Sequence, residues 1–520
     1  NHLTEFGPVG MSLDLMKPNF VIRIKAIEPG SPAEKMGQIK PGMIIHSING
    51  EKLADIDPRI QLGDMITKAE AADGKMRMVV SDDLEGATRE VVVQLQALGA
   101  YSETWPLNCP KSDKIVSQYA DYLTQEDAHK GFAEIGMLFL LSTGDDNYLP
   151  TVRDWAHEVS NKKAGGYGWH IGYGRIALAE YYLRTGDKAV LPGIQSAVDH
   201  AVLMENFGGW ANKGALGSPT YGGGGGHLSA SGALVPAFLF LAKECGAEID
   251  DETLQRVLRY WYRFSGRGNV PYGNGRPEGG YTDNGKNGKL AFSMAAAAAL
   301  TPEGENSIYA RARDTSALFS FYSTSFMLHG HTGGGIGEIW RSSAMGLLQE
   351  KRPALHRDFM DQRRWHYEMS RKFDGTFRIL GGERYDNVEW GAGYALTYTV
   401  PRKTLRITGA PPTKFSTSYQ LPERPWGVAA DDDFESIESN ALPDGTRPDF
   451  TQQTLENGGG MAMLAIAAGE MTDEQVHRYI RHPQYTARTY FAPQVAKRGE
   501  GLVLELLADK DARLRRLALD

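Results

Sequence analysis

The sequence predicts a multidomain, mainly α-helical protein. A small α+β domain over residues 1–98 leads into about six helix pairs over 99–409, an irregular wrapping segment over 410–457 and a short helical tail over 458–520. Three observations predict this. Residues 20–27 alternate in hydrophobicity and are rich in β-branched side chains, and the strand-like pattern returns before residue 98. From Ala164 to Glu389 one unit recurs five times: a glycine-and-aromatic loop, a small-residue helix, a turn, then a more polar helix. Finally, 520 residues exceed what one hydrophobic core organises.

Composition narrows the function classes. Hydrophobic content is 41% and charge 23%, ordinary for a globular chain. The net charge of −8 is too mild and mixed to expect a nucleic-acid partner. No window approaches 18 consecutive apolar residues, so no membrane span is expected. Glycine is in excess, 60 residues, and the excess sits in the repeated loops. Cys109 and Cys245 lie far apart and read as two unpaired buried thiols. The chain begins at Asn1 with no methionine or apolar leader, which fits a mature secreted or periplasmic protein as well as a trimmed chain.

In the first domain the strand Phe20–Ile27 runs into Glu28-Pro29-Gly30-Ser31-Pro32-Ala33. Lys40-Pro41-Gly42-Met43-Ile44-Ile45 and Ile48-Asn49-Gly50 follow. Pro-Gly and Asn-Gly mark turns, and Ser31-Pro32 opens a short helix. A helix is predicted from Pro58 to Ala72, then strands Met76–Val80 and Glu90–Gln96. These motifs in this order resemble a bacterial PDZ domain of the type attached to periplasmic proteases. Met43 stands where that family usually has an acidic residue. The resemblance implies a groove that takes an extended peptide or C-terminus by strand addition, with Gly10, Met11 and Ser12 in the carboxylate-binding loop. Whether the groove is open or filled by the chain's own linker stays open at this point. No Gly-x-Ser-x-Gly and no Ser-Lys or Ser-His-Asp arrangement follows, so a protease is not expected.

First helices of the pairs are expected to start near Ala128, Ile171, Leu228, Lys286, Gly333 and Glu389. Their partners are the more charged stretches such as Asp251–Ser265 and Ala354–Lys372. Asp250 or Asp251 is a candidate N-cap, and Gly186 a helix stop. Paired helices cannot bury their apolar faces alone and so pack on one another. The layout resembles the α/α toroids of polysaccharide lyases, glycoside hydrolases and terpenoid-cyclase-like proteins, which would put the glycine loops on one rim.

Several motifs fail on context. Gly172-Tyr173-Gly174-Arg175-Ile176-Ala177 lacks a preceding apolar strand, and Gly285-Lys286-Asn287-Gly288-Lys289 lacks the spacing of a phosphate loop. Asp431-Asp432-Asp433 resembles the acidic clusters of terpenoid enzymes but reads as a solvated loop outside the repeats. No cofactor and no metal are expected. What remains is a rim set. Trp169, His170, Tyr173, Trp210, Tyr221, His227, Glu278, Trp340 and Trp390 are candidates for substrate binding, the aromatics by stacking on sugar rings. Asp283 with Glu338, or Glu338 with Glu389, could supply the two carboxylates of a hydrolase. Tyr281, His331 and Arg341 could serve a lyase as base and carboxylate clamp. The expected function is cleavage of a polysaccharide by hydrolysis or β-elimination outside the cytoplasm. The alternative is a non-catalytic sugar- or peptide-binding scaffold. In the tail, helical pattern returns at Gly458–Ala468 and Thr472–Ile480, and residues 500–520 resemble a HEAT-type repeat.

Overall fold

The computed structural model describes the chain except residues 1, 4–5, 17–19, 126–132, 167, 212–226, 266–269, 272, 274–284, 323–334, 379–390, 435–466 and 484. The side chains of 133, 321–322, 335–336, 338, 433–434 and 486–487 also lie outside the description. The fold is mainly helical, with one small β-rich domain at the N-terminus. Two compact units emerge: residues 1–151, 327–339 and 349–404 form one, and residues 152–326, 340–348 and 405–520 the other.

In the first unit a six-stranded antiparallel sheet has its strands in sequence order: β1 (His2–Leu3), β2 (Met11–Met16), β3 (Val21–Ile27), β4 (Ile44–Ile48), β5 (Lys75–Ser81) and β6 (Arg89–Gln94). Two helices join it, α1 (Pro32–Met36) and α2 (Pro58–Ala71). The turn motifs set this path. Ser31 caps α1 through its side-chain oxygen at 3.1 Å from the Glu34 N–H, and Pro32 occupies the first turn, where a missing N–H costs nothing. Asn49 and Gly50 both take positive φ at the β4 turn. Met43, the departure from the acidic residue, is buried in the core.

The same unit holds α3 (Pro110–Leu123), α4 (Ala133–Thr143), α15 (Pro353–Ser370) and α16 (Gly391–Thr399). Here α4 packs on α16, and Ser142 bonds Thr399 at 2.6 Å. The core of the β-rich domain does not end with its own residues: Met369 of α15 is part of it, and Trp365 packs against it.

In the second unit three helices run side by side: α7 (Ile176–Thr185), α10 (Val235–Glu244) and α12 (Lys286–Leu300). Short helices α6 (Gly168–Gly172) and α9 (Ser229–Gly232) precede the first two. Helices α8 (Leu191–Met204), α11 (Asp251–Tyr262) and α13 (Ile308–Tyr322) follow as partners. Small residues allow the close approach: a Cβ on Gly168 would meet Ser231 at 3.1 Å, and one on Gly172 would meet Leu234 at 3.0 Å. The expected starts Ile171, Leu228 and Lys286 correspond to helices beginning at Gly168, Ser229 and Lys286. Asp250 caps α11 by accepting from the Thr253 N–H, and Gly186 ends α7 at φ 72°.

Residues 410–422 cross the C-terminal ends of these helices. Thr413 donates its hydroxyl to the Leu183 carbonyl, the Thr417 N–H goes to Glu244 O and the Tyr419 N–H to Leu300 O. Five short helices end the chain, and those over Glu500–Ala508 and Ala512–Leu519 form a hairpin. In the acidic run at 431–433, Asp431 and Asp432 are not the solvated residues expected; the Asp433 side chain lies outside the description. Asp431 is buried on the Arg513 guanidinium, and Asp432 bonds Arg311 and Arg424. Charges from distant parts of the chain neutralise these two, which the local sequence does not announce.

Candidate functional site

The expected catalytic residues fall largely outside the described residues. Tyr221, Glu278, Tyr281, Asp283, His331, Glu389 and Trp390 all do. Glu338 lies in α14 (Gly335–Gly346), with its side chain undescribed. What is described is a platform at the N-terminal ends of α6, α9 and α12; in sequence the segment with Tyr221 precedes α9 and that with Glu278, Tyr281 and Asp283 precedes α12.

Aromatic rings and one cation make that platform. Trp169 and Tyr173, four residues apart, bring their ring centroids to 5.1 Å, and Tyr173 meets Trp340 edge-on at 5.3 Å. Phe292 packs on the other side of Trp340 at 5.4 Å. The Lys289 ammonium sits over both Trp169 (5.1 Å) and Tyr173 (5.4 Å) and donates to the Ala230 carbonyl at 2.8 Å. Lys289 and its neighbour Lys286 in the first turn of α12 are both fully buried. A buried ammonium is tolerated there because ring faces and a carbonyl replace its water. Gly288 is obligatory between them, since a Cβ there would sit 2.3 Å from the Trp340 carbonyl oxygen. Sequence reading discarded this Gly-Lys-Asn-Gly-Lys run as a failed phosphate loop. The two lysines flanking a glycine at a helix start were the signal missed.

Of the expected stacking residues, His170 is exposed and Trp169 half-buried, while Tyr173, Trp210, His227 and Trp340 are buried. Those four do not offer free ring faces; they are part of the core. Trp210 donates its indole N–H to the Ala201 carbonyl at 2.9 Å. His227 Nδ1 lies 3.0 Å from the Tyr260 hydroxyl, and burial lowers its pKa. Burial also raises the Tyr173 phenol well above its ordinary value. Arg341, expected as a carboxylate clamp, is buried and donates from Nε to the Ser320 carbonyl at 3.1 Å. A group of three or more His, Cys, Asp or Glu able to hold a metal does not occur among the described residues. Cys109 and Cys245 are buried and free, as expected.

The second expected site, the peptide groove, is described except for residues 1, 4–5 and 17–19, and the chain's own β1 pairs along it. The groove edge of β2 is already paired: Leu3 lies opposite Leu13 and His2 opposite Asp14, while β3 takes the other edge. In the loop that carries Gly10, Met11 and Ser12, the Phe6 N–H donates to the Met11 carbonyl and the Glu28 N–H to that of Gly10. Helix α15 packs on α2 and on the turn that precedes β2. Its Trp365 backbone would lie 2.6 Å from a Cβ on Gly63 of α2, and the Glu368 carbonyl oxygen would lie 2.6 Å from one on Gly7.

A buried charge quartet fixes this arrangement. Lys111 of α3 bonds Glu70 of α2 at 2.8 Å and Glu368 of α15 at 2.6 Å, all three within 1% of full burial. Arg371 completes it, bonding Glu70 at 2.5 Å and also Glu368. Burial alone would raise the Glu368 pKa, but Arg371 and Lys111 outweigh it and hold the carboxyl at about 2. Tyr101 lies under the Lys111 ammonium at 4.3 Å and bonds the Tyr398 hydroxyl at 3.0 Å. Two cations and two carboxylates cancel, so the cluster is neutral while burying four charges.

Among the described residues no helix is long and apolar enough to cross a membrane. No curated protein matches the chain. The PDZ domain family matches residues 3–81, which agrees with the sheet, the loop and the groove just described. A second family, described only as a domain of unknown function, DUF6288, matches residues 112–409, the helical pairs and their glycine-rich connections. The chain belongs to that DUF6288 family and carries a PDZ domain ahead of it.

Proposed function

We propose that the helical pairs close into an α/α toroid and that the protein cleaves a polysaccharide outside the cytoplasm at its glycine-rich rim. The observation that carries this reading is the platform of Trp169, Tyr173, Trp340 and Lys289 at the N-terminal ends of α6, α9 and α12. The first turns of α6, α9 and α12 meet there. Helix N-termini carry partial positive charge, and α12 begins at this platform. A surface of that sign favours an acidic sugar over a neutral one. It therefore supports β-elimination from a uronate above hydrolysis. Tyr281 and His331 on the loops, with Glu338 of α14, would do the proton transfers, the base removing the proton next to the uronate carboxylate. The location outside the cytoplasm rests on the resemblance of the first domain to PDZ domains attached to periplasmic proteases. Incubation with a panel of neutral and uronic-acid polysaccharides tests the reading, following new reducing ends together with the absorbance of unsaturated ends. Both signals on a polyuronate are the expected result. Reducing ends alone would replace elimination with hydrolysis, and silence on the whole panel would favour a binding scaffold.

A further inference from the structure

The hairpin after α8 presents an aromatic ring that the fold itself does not use. Its strands, β7 (Glu205–Asn206) and β8 (Gly209–Trp210), are joined by Phe207 and Gly208. Phe207 sits at φ 52°, a conformation that strains any residue with a Cβ, and it is 75% exposed. Glycine or asparagine would make this turn with less strain and without exposing apolar surface. The hairpin is nevertheless held firmly. Glu205 accepts from Arg256 of α11 at 2.7 Å and from the Gly208 N–H, while His227 Nε2 donates to the Asn206 carbonyl. A Cβ on Gly208 would lie 2.4 Å from that of Tyr260, so the tip leans on the end of α11. Strain and exposure at one ring on a fixed support point to a contact made by that ring.

The same Tyr260 carries a guanidinium that has no anion. Arg263, the residue that ends α11, lies over the faces of Tyr260 at 4.3 Å and Phe264 at 4.5 Å. It is half-buried, and its Nε has no hydrogen-bond partner. Among the described residues no carboxylate pairs with it, because Arg256 takes both oxygens of Glu205 and also reaches Glu252. Two ring faces and the negative end of α11 make the cation tolerable, but they do not neutralise it. Its charge is felt nearby. Burial and then Arg263 hold the His227 pKa down, and Arg263 pulls back the Tyr260 phenol that burial raises. The hairpin and the end of α11 both adjoin the platform. Trp261 Cζ2 would lie 3.4 Å from a Cβ on Gly232 of α9, and the Leu228 N–H donates to the Trp210 carbonyl.

We propose that Phe207 and Arg263 bind an acidic stretch of the polysaccharide, a sugar ring against Phe207 and a uronate carboxylate on the Arg263 guanidinium. The proposal rests on the polysaccharide reading above and adds to it a contact outside the platform. The planar guanidinium matches a carboxylate through two parallel N–H bonds, and an aromatic face suits the C–H face of a pyranose.

Affinity electrophoresis of the full chain tests it, in gels holding polygalacturonate or alginate, each beside its uncharged ester. At least one polyuronate should retard the parent about tenfold more strongly than its ester does. Arg263→Gln should weaken binding of the acid by about tenfold or more and leave the ester unchanged, with Arg263→Lys in between. Phe207→Gly removes both ring and strain. It should raise the melting temperature while weakening acid and ester by the same factor, which a purely structural turn would not do. The proposal is overturned by equal retardation in acid and ester, by Arg263→Gln behaving as the parent, or by no retardation in either polyuronate. Unsaturated product is read separately by absorbance. Retardation through Arg263 with no product overturns the cleavage reading alone, and product with Arg263→Gln binding as the parent does overturns this contact alone.

Discussion

Lys111→Met is the most informative single change in the PDZ-containing unit. The side chain it removes makes two buried ion pairs, at 2.6 and 2.8 Å, and covers the Tyr101 ring. Methionine keeps most of the volume and removes the charge. Glu70 and Glu368 are then left with Arg371 alone, one buried negative charge in excess. Removing one partner of a buried pair costs about 3–5 kcal/mol, far above the 0–1 kcal/mol typical of exposed pairs. At about 2–4 °C per kcal/mol for a unit of this size, the melting temperature should fall on the order of 10 °C. Adding Glu70→Gln removes the surplus charge and should recover part of that loss, giving a coupling of at least about 1 kcal/mol in a double-mutant cycle. Urea denaturation of the two single variants and the double reads this directly. A Lys111→Met loss below about 1 kcal/mol, or simple additivity in the cycle, would refute the buried-quartet argument.

Gly63→Val puts a side chain into the Trp365 backbone at 2.6 Å, so it should lower the unfolding free energy by about 1–3 kcal/mol or more, read as a lower urea midpoint. An unchanged midpoint would mean that α15 does not press on α2 as described. Because β2 is paired on both edges, labelled C-terminal peptides should show no saturable binding to the full chain tighter than about 100 μM. Fluorescence anisotropy checks this, and micromolar binding would contradict self-occupancy. Glu368 has a depressed pKa, so its contribution is present above about pH 4.5 and is lost as pH falls through about 2. A pH series of unfolding curves should lose on the order of 3 kcal/mol across that window in the parent and less in Lys111→Met. Equal slopes would contradict the assignment.

The PDZ domain was legible because its signals are local. Ser31-Pro32, Gly42 and Asn49-Gly50 each fix a turn through their own backbone preferences. The predicted helix Pro58–Ala72 and strands Met76–Val80 and Glu90–Gln96 differ from the observed elements by one or two residues at most of their ends. The role of α15 was not legible. Read as the polar partner of a helix pair, it also packs on the PDZ helix α2 and supplies Met369 to that domain's core. That seam depends on Gly63, Glu70, Lys111 and Glu368, which are far apart in sequence. Charged residues there read as surface, and only the structure shows that they neutralise one another inside. The Glu368–Arg371 spacing with an apolar Met369 between them was the available hint. In the second unit, glycine and aromatic content marked the N-terminal ends of α6, α9 and α12. It could not separate rings that face solvent from Tyr173, Trp210 and Trp340, which close the core, because both kinds are placed beside glycine.

The measurement that bears most directly on the rim as a catalytic site is a comparison of the parent chain with Glu338→Gln on a uronic-acid polysaccharide. Unsaturated product and binding are followed in parallel. The parent should release product, and the variant should bind the polymer with no turnover. Turnover unchanged in Glu338→Gln, or binding by the parent with no product under any condition, would contradict a catalytic rim.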